Sequence, residues 1–253
     1  MATTGDGQAG DGTAGDGQAG DGRPSGGGVG RVGMIGGTGP AGRALALRLA
    51  AAGLEVDLGS RSAERAEQVA AELRERWPGR DLAVRGAANR DAAMADIVVL
   101  ATPFEAAAET AAGLADELAG RVVVSMVNAL TRVGRELHAL VPALGSVAAT
   151  VQSVLPRSEV AAAFQHLPAR HLGDLHHELV ADVLVCASSP RSASSTAALV
   201  EAVPGLRAVH AGSLASAGPV EALTAVLVNV NIAYRSHVAV RLEGLRAAGA
   251  GAP

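Results

Sequence analysis

The clearest chemical signal in the chain is a run of small residues, Gly36-Gly37-Thr38-Gly39-Pro40-Ala41-Gly42. Gly37 to Gly42 match G-x-G-x-x-G, the spacing by which a backbone turn approaches the pyrophosphate of a dinucleotide. Gly37 permits the tight turn, Gly39 leaves room for a phosphate, and Gly42 lets the following helix lie close to the preceding strand. The N-terminus of that helix, just past Pro40, offers free amides and the positive end of a dipole. A second run, Gly59-Ser60-Arg61-Ser62-Ala63-Glu64-Arg65, chooses between two dinucleotides. An NAD site usually ends its second strand on an acid that holds the ribose hydroxyls. Here Ser60 can donate a hydrogen bond, and Arg61 and Arg65 stand four apart at a helix start, on one face. Guanidinium groups there suit a dianionic 2′-phosphate, so NADP is expected. Asp57 is the competing acid, but it lies within the strand rather than at its tip.

These residues need a strand, a helix and a second strand to hold them. Gly30 to Ile35 reads as the first strand, and an Ala-rich helix with Leu45 and Leu49 one turn apart runs on to Gly53. Leu54 to Gly59 is the second strand. Ser62 to Trp77 is an amphipathic helix with Ala66, Val69, Ala70 and Leu73 on its apolar stripe, ended by Pro78-Gly79. Leu82 to Val84, Asp96 to Ala101 and Arg121 to Ser125 are further strands, and Thr102-Pro103-Phe104 follows the middle one. Strand and helix alternate, so an α/β fold with a Rossmann-like, doubly wound parallel sheet is expected, with a smaller C-terminal α/β domain. Ligands of such sheets lie beyond the carboxyl ends of the strands, which places a nicotinamide near Thr38, Thr102 and Pro103. Pro219 to Gly244 reads as a mostly apolar helix, buried by the other domain or by a second subunit, so a homodimer is expected.

Composition excludes several alternatives. Of 253 residues, 32 are Gly and four are aromatic, and all 21 basic residues are Arg. Without lysine there is no Schiff base, no Walker loop and no Tyr-Lys dehydrogenase pair. Few aromatics and a net charge of −4 point away from nucleic acid. Gly5 to about Gly22 repeats a Gly-Asp-rich five-residue unit with no large apolar side chain, and residues 1–29 read as a disordered tail, as does 248–253. The single Cys186 forbids an internal disulfide and suits a cytoplasmic protein. The apolar stretch Val220 to Ile232 is broken by Glu221, Asn229 and Asn231, so no membrane span is expected. His166, His171, His176 and His177 cluster in sequence, but at spacings that match no standard metal site. The serines around Pro190-Arg191 lack the G-x-S-x-G elbow and read as a loop and helix cap.

The segments Met34-Ile35-Gly36-Gly37-Thr38-Gly39 and Val56-Asp57-Leu58-Gly59-Ser60-Arg61 resemble the start of the NADPH-dependent reductases of coenzyme F-420, the 5-deazaflavin hydride carrier. Asn89-Arg90-Asp91-Ala92-Ala93, Ala101-Thr102-Pro103-Phe104-Glu105, Pro204-Gly205-Leu206-Arg207 and Val220-Glu221-Ala222-Leu223-Thr224 resemble the same family. The resemblance implies two cofactor-holding parts, residues 30–155 for NADP(H) and 156–247 for the deazaflavin and for dimerisation, with hydride passing directly across a cleft. It implies NADP contacts at Thr38, Gly39, Pro40, Ala41, Ser60, Arg61 and Arg65, with Ala169 among the cofactor-binding positions. It implies a deazaflavin site lined by Ala163 to Ala169, with Gln165, His166, Leu167 and Pro168 as its residues. The family often has His or Asn where this chain has Gln165, which can still hydrogen-bond a ring system. No side chain is expected to act as acid, base or nucleophile, because carrier-to-carrier hydride transfer depends on placing two rings. Two other readings are an NADP-dependent reductase of another small substrate, such as an imine or keto acid, and a non-catalytic NADP-binding redox sensor. The missing lysine disfavours the 3-hydroxyacid and ketopantoate types.

Overall fold

The computed structural model describes Met1 and residues 29–245, so both expected tails lie outside the described residues apart from Met1 and Val29. The first strands and helices are β1 (Val32–Ile35), α1 (Pro40–Ala51), β2 (Val56–Ser60), α2 (Ala63–Arg76), β3 (Val84–Ala88) and α3 (Asn89–Ala92). They continue with β4 (Ile97–Leu100), α4 (Phe104–Ala112), β5 (Val122–Ser125) and the hairpin β6 (Leu130–Val133) and β7 (Glu136–Ala139). The remainder is α5 (Val147–Val154), β8 (Glu159–Ala162), α6 (Ala169–Leu172), β9 (Ala181–Ala187), α7 (Pro190–Glu201), β10 (Leu206–His210) and α8 (Ala217–Tyr234).

Eight strands form one sheet in the order β10-β9-β8-β5-β4-β1-β2-β3. β1, β4 and β5 are buried along their whole length, as strands covered by helices on both faces must be. One apolar cluster packs α1, α2 and α7 residues such as Leu45, Leu49, Val69 and Leu199 on one face. A second packs Ala107, Ala111, Leu118, Val147 and Val151 on the other. β1 lies between β2 and β4, with Val32 opposite both Val56 and Ile97, so the strand order reverses at β1 and β4. That reversal opens a crevice beyond their carboxyl ends.

Local rules set the helix starts. Ser62 caps α2, its hydroxyl accepting from the Arg65 amide at 3.2 Å. Ser189 begins α7 with a reciprocal capping box to Ser192, as the serine-rich loop led one to expect.

Three expectations need correction. The sheet is not wholly parallel: β9 runs against β8, with Ala161 opposite Ala187 and Ala162 opposite Cys186. A parallel return needs a long crossover, usually a helix, and only the four-residue α6 stands between these strands. The third strand is Val84–Ala88 rather than Leu82–Val84, because Gly86 allows α2 to lie directly against it; a Cβ there would stand 2.0 Å from the Glu67 nitrogen. The last helix stops at Tyr234 instead of reaching Gly244. Arg235 turns left-handed (φ 51°), and Asn231 Oδ1 draws the Val238 amide back at 2.7 Å.

The β6–β7 hairpin was not anticipated. The sheet also runs unbroken across the expected division at 155–156, since β8 pairs with β5 along its length.

Candidate functional site

A cleft of about 960 Å³ opens at the carboxyl ends of β1, β2 and β4. Its floor is the turn between β1 and α1. The Gly37 amide donates to the carbonyls of Met34 (3.1 Å) and Gly59 (2.9 Å), which fixes the turn to β2. The three fingerprint glycines answer to different constraints. A Cβ on Gly37 would press on Leu58 and Met34, and one on Gly42 would stand 2.8 Å from the Gly37 Cα. A Cβ on Gly39 would meet only the Gly36 carbonyl, at 4.0 Å. The space above Gly39 is thus open to a ligand, next to a helix start that has no side-chain cap.

Thr38, Gly39, Pro40, Ala41, Gly42, Ser60, Arg61, Thr102 and Pro103 all line this cleft. Gly37 lies beneath it, within the turn. Arg65 does not line the cleft; its guanidinium donates to Gln68 Oε1 at 2.8 Å on the exposed side of α2. Asp57 is 2 % exposed and bound by Arg85 at 2.5 and 3.2 Å, with Arg31 at 3.4 Å. Its charge is spent within the sheet, away from the strand tip. Of the described residues lining the cleft, only Glu109 carries a carboxylate.

Asn89 and Arg90 also line the cleft, and the residue reading assigned them no role. Asn89 Oδ1 accepts from the Gly36 amide at 3.0 Å, so the end of β3 holds the turn after β1. Gly36 turns left-handed there (φ 69°), as glycine can without strain, and lies directly against Thr102. Arg90 is ion-paired with Glu117 at the rim. The available signal was their place directly after a parallel strand, where loops meet ligands.

The segment after β8 lies at the same sheet edge. Phe164 is buried and left-handed (φ 68°), a costly conformation for a non-glycine residue. The next carbonyl, of Gln165, accepts from Asn128 Nδ2 (2.9 Å) in the loop after β5 and from Thr224 Oγ1 (3.1 Å) on α8, which holds the chain just after the strained residue. The Gln165 side chain is 5 % exposed, yet neither its oxygen nor its nitrogen has a partner, and Thr102 Oγ1 is likewise buried and unpartnered. Unpaired buried polar atoms are costly, roughly 1–3 kcal/mol each. Thr102 and Gln165 follow strands two positions apart in the sheet, so they stand on the order of 10 Å from each other.

His166 is 2 % exposed and turned onto β9, where its Nε2 accepts from the Leu184 amide at 3.0 Å. Burial pushes its pKa down to about 4, so the ring is neutral. Leu167 is buried, and Ala169 lines a neighbouring cavity of about 630 Å³ that shares Pro40 with the first. Pro168 is buried at the start of α6. Among the described residues no cluster of three or more His, Cys, Asp or Glu could hold a metal ion.

Residues 31–129 match the model of the family described as "NADP oxidoreductase coenzyme F420-dependent". The "F420-dependent NADP reductase" of Methanocaldococcus jannaschii is 36 % identical over 211 residues, which is 81 % of this chain and 94 % of that one. The protein of the same name from Methanothermobacter thermautotrophicus is 37 % identical over 222 residues, 85 % of this chain and 94 % of its own. A crystal structure of a candidate F420-dependent NADP reductase from Arthrobacter sp. FB24 superposes with a TM-score of 0.70. It covers 83 % of this chain and 96 % of its own at 24 % identity, a likeness of fold.

Proposed function

Because the chain belongs to the F420-dependent NADP reductase family, we propose how its cleft transfers a hydride between NADP(H) and the deazaflavin of coenzyme F-420. The two cofactors supply the reacting atoms, and the protein binds and orients them. The observation that carries this reading is the contrast at the tip of β2. Ser60 and Arg61 face the cleft, while the nearby acid, Asp57, is neutralised inside the sheet. An acid at the tip would repel a 2′-phosphate, whereas Arg61 attracts one.

In this reading the pyrophosphate of NADP lies over Gly39, at the amides of Ala41 and Gly42. Gly37 and Gly42 shape the turn, Asn89 braces it, and the nicotinamide reaches toward Thr102, Pro103 and Ala169. Residues 30–155 hold the dinucleotide and 156–247 hold the deazaflavin, with Gln165, Leu167 and Pro168 at its ring. The unpaired amide of Gln165 supports this, since a ring carbonyl or N–H would satisfy it. His166 serves as a neutral brace to β9. The lone carboxylate of the cleft fits a transfer that needs distance and alignment more than proton exchange. Arg65 takes no part in this reading, because its side chain is held by Gln68 away from the cleft.

The protein works as a homodimer in the cytoplasm, with α8 and the β6–β7 hairpin as the contact face. By length and composition α8 with the turn before it (Leu214–Tyr234, 21 residues, mean hydropathy 1.2) could cross a membrane. Its polar residues are engaged with the fold instead. Glu221 caps α5 through the Val147 amide (2.8 Å), Thr224 reaches Gln165, and Asn229 brackets Leu137 with two 2.8 Å bonds.

The test is to mix the purified protein with NADPH and oxidised F-420 and follow the deazaflavin's visible absorbance. Bleaching with NADPH and little with NADH is expected; a persistent absorbance rejects the reading.

A further inference from the structure

One side chain ties the helix of the dinucleotide turn to the segment that follows Gln165. Arg48 stands in the last turn of α1. Its Nε donates to the Leu172 carbonyl at 2.9 Å. Its Nη2 reaches the carbonyls of His171 (2.7 Å), His177 (2.8 Å) and Asp174. Four carbonyls from residues 171–177 therefore converge on one cation more than 120 residues earlier in the chain.

The chemistry of the pairing is specific. Two of the four carbonyls, of His171 and Leu172, end the single turn α6, and the other two, of Asp174 and His177, belong to the turn after it, so no longer helix takes up their bonding capacity. A guanidinium presents several donors in one plane, which an ammonium cannot do. The turn it holds is packed as well. His171 stacks on His177 with centroids 3.7 Å apart, and His237 meets His171 edge-on at 4.9 Å. A Cβ on Gly173 would touch that of Ala44, at 3.4 Å, so α1 and this turn lie in direct contact.

We propose that Arg48 is a positioning residue for hydride transfer, clamping α6 and the Gln165–Ala169 lip onto the helix that begins at the dinucleotide turn. The proposal rests on the reading above, in which the two segments hold the two rings. Pro40, the first residue of α1, and Ala169, the first of α6, line one cavity. Arg48 joins the same two helices at their other ends, about 12 Å along α1 from Pro40. With α1 anchored to the sheet, the clamp fixes the height and tilt of the lip above the turn. Hydride transfer is sensitive to that spacing: a displacement of about 1 Å can cost roughly a hundredfold in rate.

The experiment compares wild type, Arg48→Met and Arg48→Lys. Met keeps the apolar stem and removes every donor, while Lys returns one ammonium. Three quantities are read: the single-turnover rate of F-420 reduction by NADPH, the NADPH Kd by fluorescence titration, and hydrogen exchange of amides 169–178. For Arg48→Met the rate should fall roughly tenfold to a hundredfold, with Kd unchanged within about threefold and faster exchange confined to 169–178. Arg48→Lys should fall between the two. Should the Met variant fail to fold, the Lys variant carries the same comparison. Faster local exchange with an unaltered hydride rate overturns the proposal, as does unaltered exchange, or a loss of NADPH affinity in step with the rate. A wild type that never reduces F-420 removes the functional reading and this proposal together. An active wild type with an equally active Arg48→Met removes this proposal alone.

Discussion

Gly39 and Gly42 stand three residues apart and should answer the same substitution in opposite ways. Gly39 has ordinary extended backbone (φ −70°, ψ 165°) and open space above it, so Gly39→Ala should fold normally. Its methyl would fill the space that the proposed reading gives to the pyrophosphate, so NADPH affinity should drop. Gly42→Ala drives a Cβ to 2.8 Å from the Gly37 Cα and should cost stability, about 1–3 kcal/mol as an overpacked core does. Thermal melts and NADPH titrations of both variants separate the two roles; a destabilised Gly39→Ala with intact affinity would falsify this assignment. Arg61 is the other residue with a sharp expectation. In the proposed reading Arg61 grips the 2′-phosphate, so Arg61→Ala should raise the NADPH KM roughly tenfold to thirtyfold, with the NADH KM unaltered. Equal KM values for NADPH in both proteins would take Arg61 out of the site. The glycine spacing and the Ser60-Arg61 pair were legible in the sequence because each acts through its immediate neighbours. Asn89 was not, because its bond to Gly36 spans 53 positions and exists only once β3 and β1 end at one edge.

Among the elements, the segment between β8 and β9 departs furthest from expectation. It held a cluster of histidines that pattern reading placed in a loop or a pocket. In the fold they divide. His166 goes inward to β9, His171 and His177 stack, and His176 lies against Trp77 at 4.8 Å. The inward one makes a pH test. Burial lowers the His166 pKa from its ordinary 6.5 to about 4, so the folded protein keeps the ring neutral where the unfolded chain already takes a proton. Stability from this group is therefore complete above pH 6.5 and is lost as pH falls from 6.5 toward 4, by roughly 3 kcal/mol in all. His166→Gln can still accept from the Leu184 amide and has no proton to gain. Its melting temperature should fall less than that of wild type between pH 7 and pH 4. Parallel pH profiles would mean that His166 titrates freely. The antiparallel β9 belongs to the same element-scale lesson. Its apolar residues, Ala181 to Ala187, bury it in the sheet, but strand direction depends on what connects it to its neighbour.

At the scale of the molecule, the outward side of α8 carries exposed apolar side chains. Val226 (56 % exposed), Ile232 (43 %) and Tyr234 (78 %) are open, and Val133 on the adjoining hairpin is 52 % exposed. The helix is held to the hairpin by Asn229, so helix and hairpin offer one surface. Large apolar side chains left open on a helix and hairpin are what a second copy would cover. Sedimentation should give twice the 25.1 kDa chain mass for wild type, and Ile232→Asp should shift it toward a single chain. A wild type that sediments as one chain at micromolar concentration removes the dimer.

By itself the sequence determined most of the dinucleotide half: the order of its main strands and helices, and the glycine turn between the first strand and helix. Each is encoded within a few residues, through glycine geometry, helix caps and the apolar repeat, so each could be read without a partner. Only the tertiary structure decided that Asp57 is silenced by Arg85 and Arg31, that Asn89 braces Gly36, and that Asn128 and Thr224 hold the Gln165 carbonyl. It also decided that Arg48 gathers four carbonyls from beyond β8. These contacts join residues tens to more than a hundred positions apart. They depend on strand register and on how helices stack over the sheet, and no local pattern of residue types carries that information.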